Sequence, residues 1–270
     1  MDLHLRDRVY VVTGGSRGLG FAAAGALIAE GARVLVSSHG KGSAAAAADR
    51  LADNAAAADR VAWLTADTAD AATPERLITT AKDRFGRLDG ALVSFGGTPP
   101  GTVATTTDDA WRGSFDSVFL GGVRLARLLA THLTGGAGGP GGGAPTGTGG
   151  SVVFVLASSV RVPLAELAVS NGLFPGLAGV VKMLAEDLGP SGIRMNGILP
   201  VRIATERVRQ LDALSGDPDE VRARKSEDIP LRRYGEPEEF GRVAAFLLSP
   251  AASYITGAMI PVDGGSIRAI

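Results

Sequence analysis

The first residues with the types and spacing for chemistry are Thr13-Gly14-Gly15-Ser16-Arg17-Gly18-Leu19-Gly20. They follow the β-branched run Val9–Thr13, which reads as a strand. They lead into Gly18–Glu30, which reads as a helix ended by Gly31. The amino end of such a helix offers unpaired N–H groups and a partial positive charge to a pyrophosphate. Glycine is needed there because a Cβ would hold the phosphate away from the backbone. Gly14, Ser16, Arg17, Gly18, Leu19 and Gly20 are thus expected to hold a dinucleotide, the plainer alternative being an ordinary tight turn.

A second group tells which dinucleotide. The next strand, Arg33–Ser37, runs into Ser38 and His39, with Lys41 close behind. A site for NAD usually places an acid here, on the ribose 2′-hydroxyl. No carboxylate stands at this point to repel a 2′-phosphate, and Arg17 and Lys41 could meet one, so NADP is favoured over NAD. The alternative for both cations is a solvated surface charge. His4, His39 and His132 are scattered without ligand spacing, and the chain has no cysteine, so neither a metal site nor a disulfide is expected.

These residues are positioned by alternating elements. Beyond the strands and helix already named, Ser43–Asn54 reads as a helix and Arg60–Thr65 as a strand. Pro74 suits the first turn of a helix running to Phe85. Leu88–Ser94 is the fourth strand, Asp108–Leu133 a long helix, Ser151–Ala157 the fifth strand and Leu167–Leu188 another helix. Ile193–Leu199, the helix Glu236–Leu247 and Ala258–Val262 complete the series. Strands alternating with helices imply an α/β fold: one doubly wound Rossmann domain with a seven-stranded parallel sheet. Thr134–Gly150, mostly glycine with Pro140 and Pro145, buries too little apolar surface to offset its ordering entropy. It reads as a surface loop at the amino-terminal edge of the sheet, away from the ligand edge, or as a tether or partner contact.

Composition narrows the partners. The 270 residues suffice for one large domain, and 27 Lys plus Arg nearly balance 28 Asp plus Glu. No basic excess points to nucleic acid or to an acidic membrane. The polar start, Met1 to Asp7, is unlike a signal peptide, and no apolar run reaches the roughly 18 residues of a membrane span. A cytoplasmic protein acting on a small-molecule substrate is the expectation.

The spacing Thr13-Gly14-x-x-x-Gly18-x-Gly20 resembles that of the short-chain dehydrogenase/reductase family. The resemblance continues through Asp67, Leu88–Val93, Ile193–Pro200, Arg233–Glu239 and Gly257–Gly265. It is greatest to the branch similar to 3-oxoacyl-carrier-protein reductases. It implies a cleft in which Asp67 and Thr68, Ser94 and Gly96, Pro200 and Ile203 also contact the cofactor. It further implies dimers through the two long helices, or tetramers through the carboxyl-terminal strand. That family reduces carbonyls with a tyrosine that donates a proton, a lysine that lowers the tyrosine's pKa and holds the nicotinamide ribose, a serine that orients the carbonyl and an asparagine that supports a water relay.

Aligned by their neighbours, those positions are changed. Ser170 stands for the tyrosine, Phe174 for the lysine, Val118 for the asparagine, and Ser94-Phe95-Gly96-Gly97 for Asn-Asn-Ala-Gly. Val201 replaces the glycine that follows Pro200. The serine match is Ser159, or Ser158, because the spacing to Ser170 is about two residues short. Ser159 and Ser170 are the candidate catalytic residues. Phe174 carries no charge, and a serine hydroxyl is a far weaker acid than a phenol. Lys182, eight residues on, is more than two helical turns away and reads as a solvated charge. Asp108 and Asp109 read as helix caps, His132 as a cation suited to a helix end, Trp111 as packing, and Arg161 as either an anchor for an acidic substrate or a surface charge. Three functions stay open: an NADP-dependent oxidoreductase with rearranged residues, a non-catalytic nucleotide-binding sensor or partner subunit, and a non-redox isomerase or lyase.

Overall fold

The computed structural model describes residues 1–40, 42–53, 58–134 and 149–269. Its seven strands are β1 (Val9–Val12), β2 (Arg33–Ser38), β3 (Val61–Thr65), β4 (Gly90–Val93), β5 (Ser151–Val155), β6 (Arg194–Pro200) and β7 (Met259–Val262). They form one parallel sheet in the order β3-β2-β1-β4-β5-β6-β7. The order reverses between β1 and β4, the switch point outside which ligands bind in sheets of this kind. β1, β4 and β5 are buried along their whole length, which explains why they read as continuous apolar runs rather than alternating ones.

Helices cover both faces, and successive strand residues serve opposite cores. Val9, Val11, Ala91, Val93, Val152 and Phe154 pack with α3 (Thr73–Phe85), α5 (Gly121–Thr134) and α6 (Ala168–Leu188). Tyr10, Val12, Leu92, Val153 and Val155 pack with α1 (Gly18–Ala29) and α9 (Pro237–Leu248). α1 and α9 lie close because Gly241 has no side chain; a Cβ there would come within 2.6 Å of the Ala22 carbonyl oxygen.

Several expectations are corrected. The long helix 108–133 is three pieces: α4 (Asp108–Ser114), a π-helical turn (Phe115–Leu120) and α5. Periodicity cannot register one extra residue in a turn, and such turns gather at functional sites. α2 is Ser43–Leu51, shorter than expected, and Asn54 lies outside the described residues. The charged stretch after β6 contains α7 (Glu206–Ala213) and α8 (Pro218–Ser226), which the sequence reading lacks. Their signals were present: Thr205 caps α7 by accepting from Val208 N, and Asp217, followed by Pro218, caps α8. Of the glycine-rich stretch, residues 135–148 lie outside the described residues. By length and composition Ala168–Ser191, which contains α6, could cross a membrane, contrary to the expectation of no such run. Its Phe174, Leu177, Val181 and Ala185 are nevertheless buried in the core cluster against the sheet, as in a core helix.

Candidate functional site

At the switch point, one side chain ties the carboxyl ends of β1 and β4. Thr13 Oγ1 donates to the Ser94 carbonyl at 2.7 Å and accepts from Ser94 N at 2.9 Å, fully buried. This fixes the crevice between Gly14 and Ser94. Gly14 turns at φ +59° beneath the Ser94 carbonyl, and Gly18 turns at φ +56° to open α1. A Cβ on Gly20 would run into the Gly14 carbonyl, so α1 can start against the loop only if that residue is glycine. Arg17 is extended and exposed at the helix start, with no side-chain cap, and Ser16 and Leu19 are half-buried beside it. This is a cradle that fits the phosphates of a dinucleotide.

The neighbouring strand ends gather the other expected cofactor residues. His39 Nδ1 and Asp67 Oδ2 lie 3.3 Å apart, so a carboxylate from β3 does reach the end of β2, where none was expected from the β2 sequence. Asp67 Oδ1 also accepts from Ala69 N, which shapes the turn at Thr68. Ser38 is engaged locally, its hydroxyl 2.6 Å from that of Ser43. Lys41 lies outside the described residues. Gly96 is exposed beyond β4, and Pro200 ends β6. Ile203 is buried, with its side chain against Gly235.

The chemical half is built where the loops after β4 and β5 meet the start of α6. Gly101 N donates to the Glu166 carbonyl and Ala168 N to the Gly101 carbonyl, stitching the β4 loop to the first turn of α6. The Asn171 amide accepts from Leu164 N and donates to Leu164 O, fixing the preceding segment. Ser159, in the short 3-10 turn after β5, thereby faces Ser170. Their hydroxyl oxygens are 3.0 Å apart, and Ser159 Oγ also lies 3.2 Å from the Ser170 carbonyl oxygen. Among the described residues, Ser158 makes no such side-chain contact. Trp111 packs over Gly172, as expected for a packing residue.

Phe174 and Val118 do not enter this polar site. Both are buried in the same core cluster, together with Phe154, Leu156 and Leu177. The π-helical turn remains at Val118, but it delivers an apolar side chain. Pro175 also sits inside α6, where it can give no N–H to the Asn171 carbonyl. The remaining candidates lie elsewhere. Lys182 is exposed on α6, as expected of a solvated charge, with its ammonium 3.5 Å from the Gly257 carbonyl oxygen. Thr107, not Asp108 or Asp109, caps α4, and the two aspartates pair with Arg112. His132 Nδ1 lies 2.7 Å from Lys82 Nζ. Arg161 is exposed.

Two residues escaped sequence reasoning. Thr205 lies over the cradle, its methyl 3.5 Å from where a Cβ of Gly18 would be. Arg207 crosses Gly97, leaves no room for a side chain there, and donates to the Thr98 carbonyl at 2.7 Å. The only available signal was the capping pattern that starts α7.

A cavity of about 320 Å³ opens at the opposite, amino-terminal edge, among Tyr10, Asp89, Arg194 and Tyr254. Its charged groups are already engaged. Asp89 takes Arg8, Arg87 and Val9 N, and Arg194 donates to four carbonyls. Burial lowers the Arg194 pKa to about 10 and raises that of the Tyr10 phenol. The glycine cradle and the Ser159–Ser170 pair lie at the carboxyl edge instead.

The family model for enoyl-(acyl carrier protein) reductase matches residues 14–266. The chain belongs to the short-chain dehydrogenase/reductase family. It is 33% identical to levodione reductase of Leifsonia aquatica over 97% of this chain and 95% of that protein. It is 32% identical to L-rhamnose 1-dehydrogenase (NAD(P)(+)) of Azotobacter vinelandii over 97% of both. A crystal structure of levodione reductase superposes with a TM-score of 0.87 at 28% identity, covering 96% of this chain and 97% of that one. The short-chain dehydrogenase/reductase fold, with its strand order and crevice, is the one described above, and the family's activity is oxidoreduction with a nicotinamide nucleotide.

Proposed function

We propose that this chain is an NADP-dependent oxidoreductase of a small carbonyl or hydroxyl substrate, working with Ser159 and Ser170 in place of the family's tyrosine and lysine chemistry. The observation that carries this reading is the buried hydroxyl pair, 3.0 Å apart, at the same sheet edge as the glycine cradle. Support for NADP is Arg17 beside the cradle and the Ser38-His39 end of β2; the His39–Asp67 contact adds a carboxylate nearby. The L-rhamnose dehydrogenase relative carries both nicotinamide nucleotides in its name.

When bound, the nicotinamide supplies or takes a hydride. The residues that would hold the nucleotide are Gly14, Ser16, Arg17, Gly18, Leu19 and Gly20 at the phosphates, with Asp67 and His39 towards the adenine end. The protein's remaining task is at the carbonyl oxygen. Ser159 has one hydroxyl proton. When that proton rests on the Ser170 carbonyl, Ser170 donates to Ser159 and neither proton faces a substrate. Ser159 can instead turn its proton to a substrate oxygen, giving up its bond to Ser170. Ser159 therefore orients and polarises, and water delivers the proton. A positioned acid usually contributes about 10²- to 10⁴-fold, so turnover is expected to be slow and to rest mainly on proximity.

A second reading is favoured by one observation: Phe174 and Val118 are packed into the core, so the charge and amide of the family site are replaced by apolar packing. That suits a nucleotide-binding protein without turnover. Titration with NADPH and NADH, followed by a carbonyl panel monitored through nicotinamide absorbance, separates the two. Tight NADPH binding with slow turnover supports the oxidoreductase; binding without turnover across the panel supports the second reading.

A further inference from the structure

Arg207 is a cation with no ion pair among the described residues. Its guanidinium is partly buried against Gly97 and donates to the neutral Thr98 carbonyl, with no carboxylate partner among the described residues. The charge that acts on it is another cation, Arg17. Burial first, and then Arg17, hold its pKa below the usual guanidinium range. Arg17 is likewise free of any ion pair among the described residues. The two belong to elements in contact, since Thr205, two residues before Arg207, packs on Gly18, next to Arg17. Holding two guanidiniums together while removing water from one is unfavourable unless an anion lies between them. The N–H groups at the start of α1 point to the same space and favour the same sign.

We propose that Arg207, carried on α7, closes with Arg17 over the diphosphate of the bound nucleotide and grips it from the side opposite the glycine cradle. The inference rests on the nucleotide-binding part of the function proposed above. It gives α7 a role that the family's motif residues do not supply, and it compensates for binding lost with the ammonium at the Phe174 position. The Thr98 bond holds the guanidinium plane in place, leaving its other N–H groups for phosphate oxygens. Bidentate guanidinium–phosphate contacts are among the stronger charge-assisted hydrogen bonds.

The test is calorimetric titration of the full chain, as wild type, Arg207→Ala and Arg207→Lys, with adenosine, ADP and adenosine 2′-phosphate. Circular dichroism confirms folding of each variant. Arg207→Ala is expected to weaken ADP about tenfold or more and leave adenosine unchanged, with Arg207→Lys in between. The salt dependence of ADP binding should also fall in Arg207→Ala. Unchanged ADP affinity in Arg207→Ala overturns the proposal while leaving the nucleotide reading intact. A loss confined to adenosine 2′-phosphate also overturns it, by moving the contact to the 2′-phosphate. Failure of wild type to bind any of the three overturns both. ADP binding that depends on Arg207 in a chain that turns over no carbonyl supports the grip and removes only the oxidoreductase.

Discussion

The hydroxyl oxygens of Ser159 and Ser170 lie 3.0 Å apart, one on the turn after β5 and the other in the first turn of α6, and both residues are buried. Ser170→Ala removes one hydroxyl but leaves Ser159 the Ser170 carbonyl as acceptor. It should cost about 1 kcal/mol of stability. Ser159→Ala should lower kcat/KM at least tenfold, because it removes the group that meets the substrate oxygen. Nicotinamide absorbance with the best substrate of the panel measures both. Full activity in the two variants would remove the pair from the reaction.

Phe174 is a core residue at a position that carries an ammonium in the family. Phe174→Ala should cost about 3 kcal/mol in urea unfolding, the usual range for a buried aromatic. Phe174→Lys should cost at least as much, since it puts an unpaired charge among Val118, Phe154 and Leu177. A Phe174→Lys variant as stable as wild type would mean that this position opens to the cleft. In that case Ser170→Tyr with Phe174→Lys should raise turnover.

Thr13 joins β1 to β4 through two hydrogen bonds with Ser94. Thr13→Val preserves shape but leaves Ser94 N and its carbonyl without that partner. The expected cost is about 2 kcal/mol, together with weaker nucleotide binding as the crevice relaxes. Thermal unfolding with and without NADPH reads both effects. A valine variant with unaltered binding would show that the clamp does not shape the crevice.

Glu239, at the start of α9, accepts both guanidinium arms of Arg233 at 2.7 Å and the Glu236 N–H at 2.8 Å. Arg233 first, and then that N–H, lower its pKa from 4.5 to about 2. A carboxylate with a lowered folded pKa contributes stability that is fully present above its unfolded value and is lost as pH falls. The contribution of Glu239 should therefore fade between about pH 4.5 and pH 2. Glu239→Gln should lower the melting temperature at pH 7 and converge on wild type near pH 2; a constant difference across that range would refute the assignment.

The helices expected to pair two copies leave apolar side chains outside. Phe115 and Phe119 stack at 5.3 Å, with Phe115 43% exposed, and Met183 on α6 is 65% exposed. Light scattering is expected to give the mass of a dimer or tetramer, and Phe115→Glu to shift it towards the monomer. A monomeric wild type would count against assembly through this face.

The sequence by itself determined the alternation of strands and helices, the glycine cradle and the family. These follow from local rules: β-branched runs, Gly14, Gly18 and Gly20 at fixed offsets, and caps at element ends. It also marked Ser159 and Ser170, although spacing alone left Ser158 open. Only the tertiary structure brought Ser159 onto Ser170, set Asp67 against His39 and packed Ile203 against Gly235. It also decided that Phe174 and Val118 fill one core cluster rather than stand in the cleft. Those facts depend on residues distant in the chain, brought together by the packing of α6 and the π-helical turn on the sheet. Arg207 is the clearest case: in the sequence it is one charge among many on α7. Its meaning comes from the loop after β4 that it crosses and from the glycine loop on which Thr205, two residues before it, packs.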